Sequence, residues 1–144
     1  PLEAMMYDVP VILSRQSAPF IMVFPDDRYW NVQEGLYFGQ YILNDVIPYI
    51  DKNFRTLADR EHRAIGGLSR GGGWALQLGL TRPDLFGAVG LPSPAIRDDD
   101  RAMLEYWVRE FTLETWPRLY LDVGDNDQER GYNTLVEEMF TRYE

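Results

Sequence analysis

Apolar residues along this chain come in two textures: short solid runs closed by breakers, and longer stretches in which they recur every three or four positions. The run Pro19-Phe20-Ile21-Met22-Val23-Phe24-Pro25 is apolar throughout and bounded by prolines, the pattern of a buried strand in a parallel sheet. Residues 26–30 then form a loop at its carboxyl end. Between residues 32 and 54, Leu36, Ile42, Val46, Ile47 and Ile50 recur at helical spacing, and Pro48 is expected to kink or divide that helix. Residues 62–66 predict a second strand, and residues 74–80 predict a helix that Thr81-Arg82-Pro83-Asp84 stops. Residues 86–91 and 118–123 predict two further strands. Asp98, Asp99 and Asp100 predict a solvated cap for a helix carrying Leu104, Trp107, Val108 and Phe111, and residues 131–143 predict the last helix.

Strands alternating with helices of this length imply right-handed crossovers and a parallel sheet covered on both faces, so the fold class is α/β. Ligands of such sheets bind beyond the carboxyl ends of the strands. Residues 26–30, Ser69, residues 92–94 and residues 124–127 all fall there, so four loops are expected to share one rim. The chain shows no internal repeat, low-complexity stretch or linker.

Composition narrows the function classes. A chain of 144 residues with 45% hydrophobic content makes one compact domain with a true core. Fourteen basic against twenty-three acidic residues leave a net charge of -9, which repels phosphate backbones and excludes nucleic acid as the expected partner. Without cysteine there are no disulfides and no thiolate metal sites, and the compartment stays open. No apolar run approaches the ~20 residues of a membrane span, so the chain as given reads as soluble, with no membrane partner.

The candidate chemistry lies at Gly67-Leu68-Ser69-Arg70-Gly71, a G-x-S-x-G pattern between a predicted strand and a predicted helix. That context defines a nucleophile elbow, in which a tight, strained turn lifts the serine hydroxyl clear of the sheet. The pattern alone arises by chance in roughly one chain in twenty of this length, so the flanking strand and helix carry the assignment. A phosphate-binding loop would need lysine where Gly72 or Gly73 stands, and no dinucleotide fingerprint registers within residues 66–73. Neither a cofactor nor a metal is expected. Read as a calcium loop from Asp125, the sequence has Arg130 where glycine is required and Val136 where a glutamate is required.

The stretch Arg63-Ala64-Ile65-Gly66-Gly67-Leu68-Ser69-Arg70-Gly71-Gly72-Gly73, followed by Arg82-Pro83-Asp84-Leu85-Phe86-Gly87-Ala88-Val89 and Ser93-Pro94-Ala95, resembles an esterase family of the α/β-hydrolase fold. That family includes feruloyl esterases, enterochelin esterases, S-formylglutathione hydrolases and the antigen 85 acyltransferases. The likeness extends back to residues 19–25 and to Ile47-Pro48-Tyr49-Ile50-Asp51, and forward to Leu121-Asp122-Val123-Gly124-Asp125-Asn126-Asp127. Many members carry methionine where this chain has Arg70; only the backbone N–H is needed there, so catalysis is untouched, although an arginine can alter the pocket.

On this reading Ser69 is the nucleophile and the backbone N–H of Arg70 is one oxyanion donor. A second donor, in such folds often on a His-Gly loop after an earlier strand, has no counterpart before Pro19. The triad acid should follow the strand after next, where Asp125 and Asp127 both stand. The family's G-x-x-D pattern selects Asp127, with Asp125 and a solvated acidic turn as the other readings. The single histidine, His62, is at the wrong end of its strand, roughly 20 Å of extended chain from Ser69 against a hydrogen-bond reach of about 3 Å. The resemblance puts the catalytic histidine downstream of Asp127, after one more helix and strand. Residues 1–144 are therefore expected to be the central portion of one larger hydrolase domain. Tyr29 and Trp30 are candidate substrate contacts on the rim, whereas Trp74, Trp107 and Trp116 read as packing residues. The function expected is a serine carboxylic-ester hydrolase acting on a small-molecule or carbohydrate-linked ester through an acyl-enzyme. A non-catalytic binding module on the same scaffold and an acyltransferase using the same nucleophile are the alternatives.

Overall fold

The computed structural model describes residues 11–13, 20–27, 37–96, 101–110, 115–127 and 130–143. The chain divides into two compact units, Pro1–Leu57 and Ala58–Glu144.

In the first unit, strand β1 (Val11–Leu13) pairs antiparallel with β2 (Ile21–Val23), setting Val11 opposite Val23 and Leu13 opposite Ile21. Sequence periodicity revealed β2 but not β1, and it predicted a buried parallel strand. The correction has a chain-length cause: residues 14–20 are too few for the crossover a parallel pair requires. Burial alternates along β2 and its flanks, with Phe20, Met22 and Phe24 exposed by 48%, 42% and 43%.

Helix α1 (Phe38–Tyr41), a π-helical turn (Ile42–Val46) and helix α2 (Ile47–Asn53) form one continuous run with right-handed dihedrals at both junctions. The division expected at Pro48 takes the form of a change of helix type, from the π turn to α2 at Ile47, and the right-handed run continues through the proline. Proline lacks an N–H and its ring crowds the carbonyl four residues back, and the wide turn immediately before α2 removes both conflicts. The buried residues record the widening: Phe38, Tyr41, Val46 and Ile50 are spaced three, five and four apart, and the step of five spans the π turn.

In the second unit, β3 (Ala64–Gly66), β4 (Ala88–Pro92) and β5 (Arg118–Asp122) form a parallel sheet in that order. The first crossover is α3 (Arg70–Thr81), the second contains α4 (Arg101–Glu110), and α5 (Arg130–Tyr143) follows β5. Strand boundaries differ from the expected ones by up to two residues and α3 begins four residues earlier than expected, at Arg70; His62, expected to open β3, instead ends a 3-10 turn of residues 60–62 whose amino end Asp59 caps.

Register partners share a face of this sheet. Ile65, Val89 and Leu119 align across it, as do Leu91 and Leu121, and all of these join the core formed by Ala75, Leu76 and Leu80 of α3, Leu104 and Val108 of α4, and Val136 of α5. The opposite face presents Ala64, Ala88 and Arg118 in one row and Gly66, Gly90 and Tyr120 in the next. Its outer strands are exposed, Tyr120 by 64%. Among the described residues of this unit, the helices expected on both faces are seen on one. Among the described residues no helix is long and apolar enough to cross a membrane.

Candidate active site

Ser69 stands between the end of β3 and the start of α3 with φ 53° and ψ -120°. These are the dihedrals of the first central residue of a type II′ turn, a position normally given to glycine because a Cβ is strained there. The sequence places a serine instead. The turn's neighbours are glycines for a steric reason: a Cβ on Gly67 would lie 2.4 Å from the carbonyl carbon of Gly71, and one on Gly72 would lie 2.7 Å from Pro94 Cα. Gly71, the last residue of the motif, has nothing within 4 Å of a built Cβ. The two motif glycines thus differ in purpose.

Backbone hydrogen bonds fix Ser69 on both sides. Its N–H donates to the Ser93 carbonyl at 3.0 Å, and its carbonyl accepts from Ala95 N–H at 2.8 Å and from Gly73 N–H at 3.1 Å. Ser69 and Pro94 form an isolated parallel bridge that extends the β3–β4 ladder past the strand ends. Ser93 has φ 43°, and its N–H donates to the Asp122 carbonyl at the end of β5 at 2.6 Å. Ser69 and Ser93 are the two non-glycine residues of positive φ among those described. Sequence reasoning assigned Ser93 no role; its signal was only a Ser-Pro step at a strand's carboxyl end.

Arg70 is the first residue of α3, where the helix dipole concentrates partial positive charge, and its side chain is exposed. Beyond β5, the turn from Gly124 closes with Asp127 N–H donating to the Gly124 carbonyl at 3.0 Å, and the Asp127 carbonyl accepts from Arg130 N–H, which opens α5, at 3.2 Å. The two candidate acids are in different settings. Asp125 is 90% exposed and its carboxylate is engaged by Arg130 Nη1 at 2.5 Å, whereas Asp127 is half-buried. Ser69 follows β3 and Asp127's loop follows β5, with β4 between, so two strand spacings of about 4.8 Å separate their strands. A gap of roughly 10 Å between strand axes leaves room for an imidazole between the two side chains.

His62 is at the opposite end of β3. It ends the 3-10 turn, 54% exposed, with Nδ1 2.7 Å from Asp59 Oδ1. The hydrogen bond to His62 holds the Asp59 carboxyl below its usual range. This pair caps a turn and stands apart from Ser69, as the spacing required. Among the described residues no cluster of histidine and carboxylate side chains could hold a metal ion. Tyr29, Trp30 and Asp98 to Asp100 lie outside the described residues.

A sequence model of the family described as "Putative esterase" matches residues 26–142. An endo-1,4-beta-xylanase/feruloyl esterase of Xylanibacter ruminicola is 34% identical over 105 residues, covering 69% of this chain and 13% of that protein. Among solved structures, an S-formylglutathione hydrolase from Staphylococcus aureus superposes with a TM-score of 0.68 at 24% identity, covering 85% of this chain and 55% of the other. A ferulic acid esterase superposes with a TM-score of 0.64 at 27% identity, covering 76% and 49%. The chain therefore spans about half the length of these structures and a small part of the xylanase/esterase.

Proposed function

This chain belongs to the putative esterase family of α/β-hydrolase fold, and we propose that its protein hydrolyses carboxylic esters through an acyl-enzyme on Ser69. The observation that carries the reading is the conformation of Ser69, a non-glycine residue at φ 53° and ψ -120° on the turn from β3 into α3. Backbone strain of this kind persists where the surrounding structure enforces it, and nucleophile elbows are such places.

Ser69 Oγ attacks the ester carbonyl while a histidine removes its proton. The tetrahedral oxyanion accepts hydrogen bonds from the Arg70 N–H and from a second donor, each worth about 3 kcal/mol in the transition state. The alkoxide then leaves, protonated by the same imidazole, and water repeats the sequence on the acyl-enzyme. Asp127 orients that imidazole. Its half-buried setting supports this role over Asp125, which is 90% exposed. The histidine and the second donor are proposed to lie outside these 144 residues, because His62 is at the amino end of β3, and residues 1–144 to be the central portion of the hydrolase domain. Tyr29 and Trp30 are proposed substrate contacts. The feruloyl esterase relatives favour an aromatic acyl group on a small-molecule or carbohydrate-linked alcohol.

A fluorophosphonate probe on the full-length protein tests this reading. It is expected to label Ser69, and Ser69→Ala is expected to abolish both labelling and turnover of p-nitrophenyl acetate. A folded, full-length protein that takes no adduct on Ser69 would instead be a binding module on a hydrolase scaffold. The 144-residue polypeptide alone is expected to be nearly inactive, since loss of the triad base costs about a million-fold in kcat.

A further inference from the structure

Ser93 is in a conformation its sequence disfavours twice. A residue preceding proline is driven toward extended backbone by the proline ring, and a non-glycine residue avoids positive φ. Ser93 precedes Pro94 and has φ 43°. The structure around it enforces this turn. Pro94 is fully buried, and the absence of a side chain on Gly72 is what lets Pro94 close onto the first turn of α3. Ala95 N–H is held by the Ser69 carbonyl at 2.8 Å, and Ser93 N–H by the Asp122 carbonyl at 2.6 Å. With both flanks pinned, the turn at Ser93 directs its carbonyl to the Ser69 N–H at 3.0 Å.

Two hydrogen bonds thus run in series across the carboxyl edge of the sheet, from the end of β5 to Ser93 and from Ser93 to Ser69. Asp122, where the series begins, is the last residue of the strand that leads into the loop of Asp127. We infer that Ser93 is a positioning residue for the nucleophile: its left-handed turn fixes Ser69 relative to β5 and thereby sets the distance across which the triad must close. This inference rests on Ser69 being the nucleophile. The role belongs to the backbone conformation at Ser93 and not to its hydroxyl, which makes a sharp distinction among substitutions. Glycine takes a φ of 43° without strain and preserves the relay. Threonine keeps the hydroxyl, but its branched Cβ opposes positive φ and drives the peptide back toward extended backbone.

The test uses the full-length protein carrying Ser93→Gly or Ser93→Thr. Two readouts are needed, steady-state kinetics on a short-chain p-nitrophenyl ester and hydrogen exchange at the Ser69 amide. Ser93→Thr is expected to lower kcat about tenfold to a hundredfold, the scale of a displacement near 1 Å at a reacting group, with KM within about threefold. Its Ser69 amide is expected to exchange faster than in the parent. Ser93→Gly is expected to keep kcat within about threefold and the Ser69 amide protected, a rescue that a mere packing role or a hydroxyl contact does not produce. A Ser93→Gly variant as impaired as Ser93→Thr overturns the inference, and so does a Ser93→Thr variant with parental kcat and parental exchange. If Ser93→Thr fails to fold, Ser93→Ala and Ser93→Gly decide: removal of the hydroxyl with kcat lost refutes the backbone role, and kcat retained with Ser69 protected supports it. Failure of the esterase reading is read separately, as absence of adduct on Ser69, and the amide exchange still reports on the relay in that event.

Discussion

Replacing Ser69 by glycine is expected to make the protein inactive and more stable than replacing it by alanine. Both substitutions remove the hydroxyl, and both leave the three backbone hydrogen bonds of residue 69 in place, to Ser93, Gly73 and Ala95. The difference is the Cβ at φ 53° and ψ -120°. Strain in such a region costs on the order of 1 to 3 kcal/mol for a residue with a Cβ and nothing comparable for glycine. Against this, glycine gains freedom in the unfolded chain worth about 0.5 to 1 kcal/mol. The balance favours Ser69→Gly over Ser69→Ala by about 1 kcal/mol. Urea denaturation resolves such a difference, because an m-value of about 2 kcal/mol/M converts it into a midpoint shift near 0.5 M. Equal midpoints, or a lower midpoint for Ser69→Gly, would refute the claim that the elbow stores strain.

The two glycines of the motif are expected to respond in opposite directions. Gly67→Ala forces a Cβ to 2.4 Å from the Gly71 carbonyl carbon and should cost about 3 kcal/mol in thermal denaturation, whereas Gly71→Ala meets nothing within 4 Å and should gain up to about 1 kcal/mol from helix propensity. Asp127→Asn is expected to lower kcat about ten-thousandfold in the full-length protein, while Asp125→Asn, which loses only an exposed ion pair with Arg130, stays within about threefold; equal effects would reverse the assignment of the acid. Asp84 accepts a bidentate bond from Arg82 at 2.8 and 2.7 Å, which holds its carboxyl below the usual range. A depressed carboxylate stabilises the fold above its unfolded value near 4 and loses that contribution as pH falls through the lower folded value. The stability gap between the parent and Asp84→Asn, under about 1 kcal/mol for so exposed a pair, should therefore be full at neutral pH and vanish in strong acid; a gap independent of pH refutes the ion-pair account.

What could be read from the sequence followed from how local each cause is. The elbow was legible because Gly67, Ser69, Gly72 and the flanking apolar runs act within one turn of chain. Strand β1 was not, because three residues carry too little periodicity to register and its partner β2 looks the same whether its neighbour is parallel or antiparallel. Pro48 marks a break in the helix but not its form, a π turn ahead of the proline that spans the step from buried Tyr41 to buried Val46. Asp127 and Asp125 are ranked in the sequence only by family pattern, because their differing exposure depends on how the turn after β5 folds. Ser93 was hidden for the reason that makes it informative: a Ser-Pro step predicts extended backbone, and only the clamps from Asp122, Gly72 and Ser69 turn it the other way.

The sheet face of Ala64, Gly66, Ala88, Gly90 and Tyr120 has a consequence for handling the polypeptide in solution. Small side chains leave the flat backbone layer near solvent, and Tyr120 stands above it with 64% of its surface exposed. All-parallel sheets in stable proteins are shielded on both sides, so a layer left exposed among the described residues is adhesive toward any apolar surface it meets. Purified as 144 residues, the polypeptide should bind hydrophobic dyes and sediment as concentration-dependent aggregates. Replacing Tyr120 with lysine should improve its yield without touching Ser69.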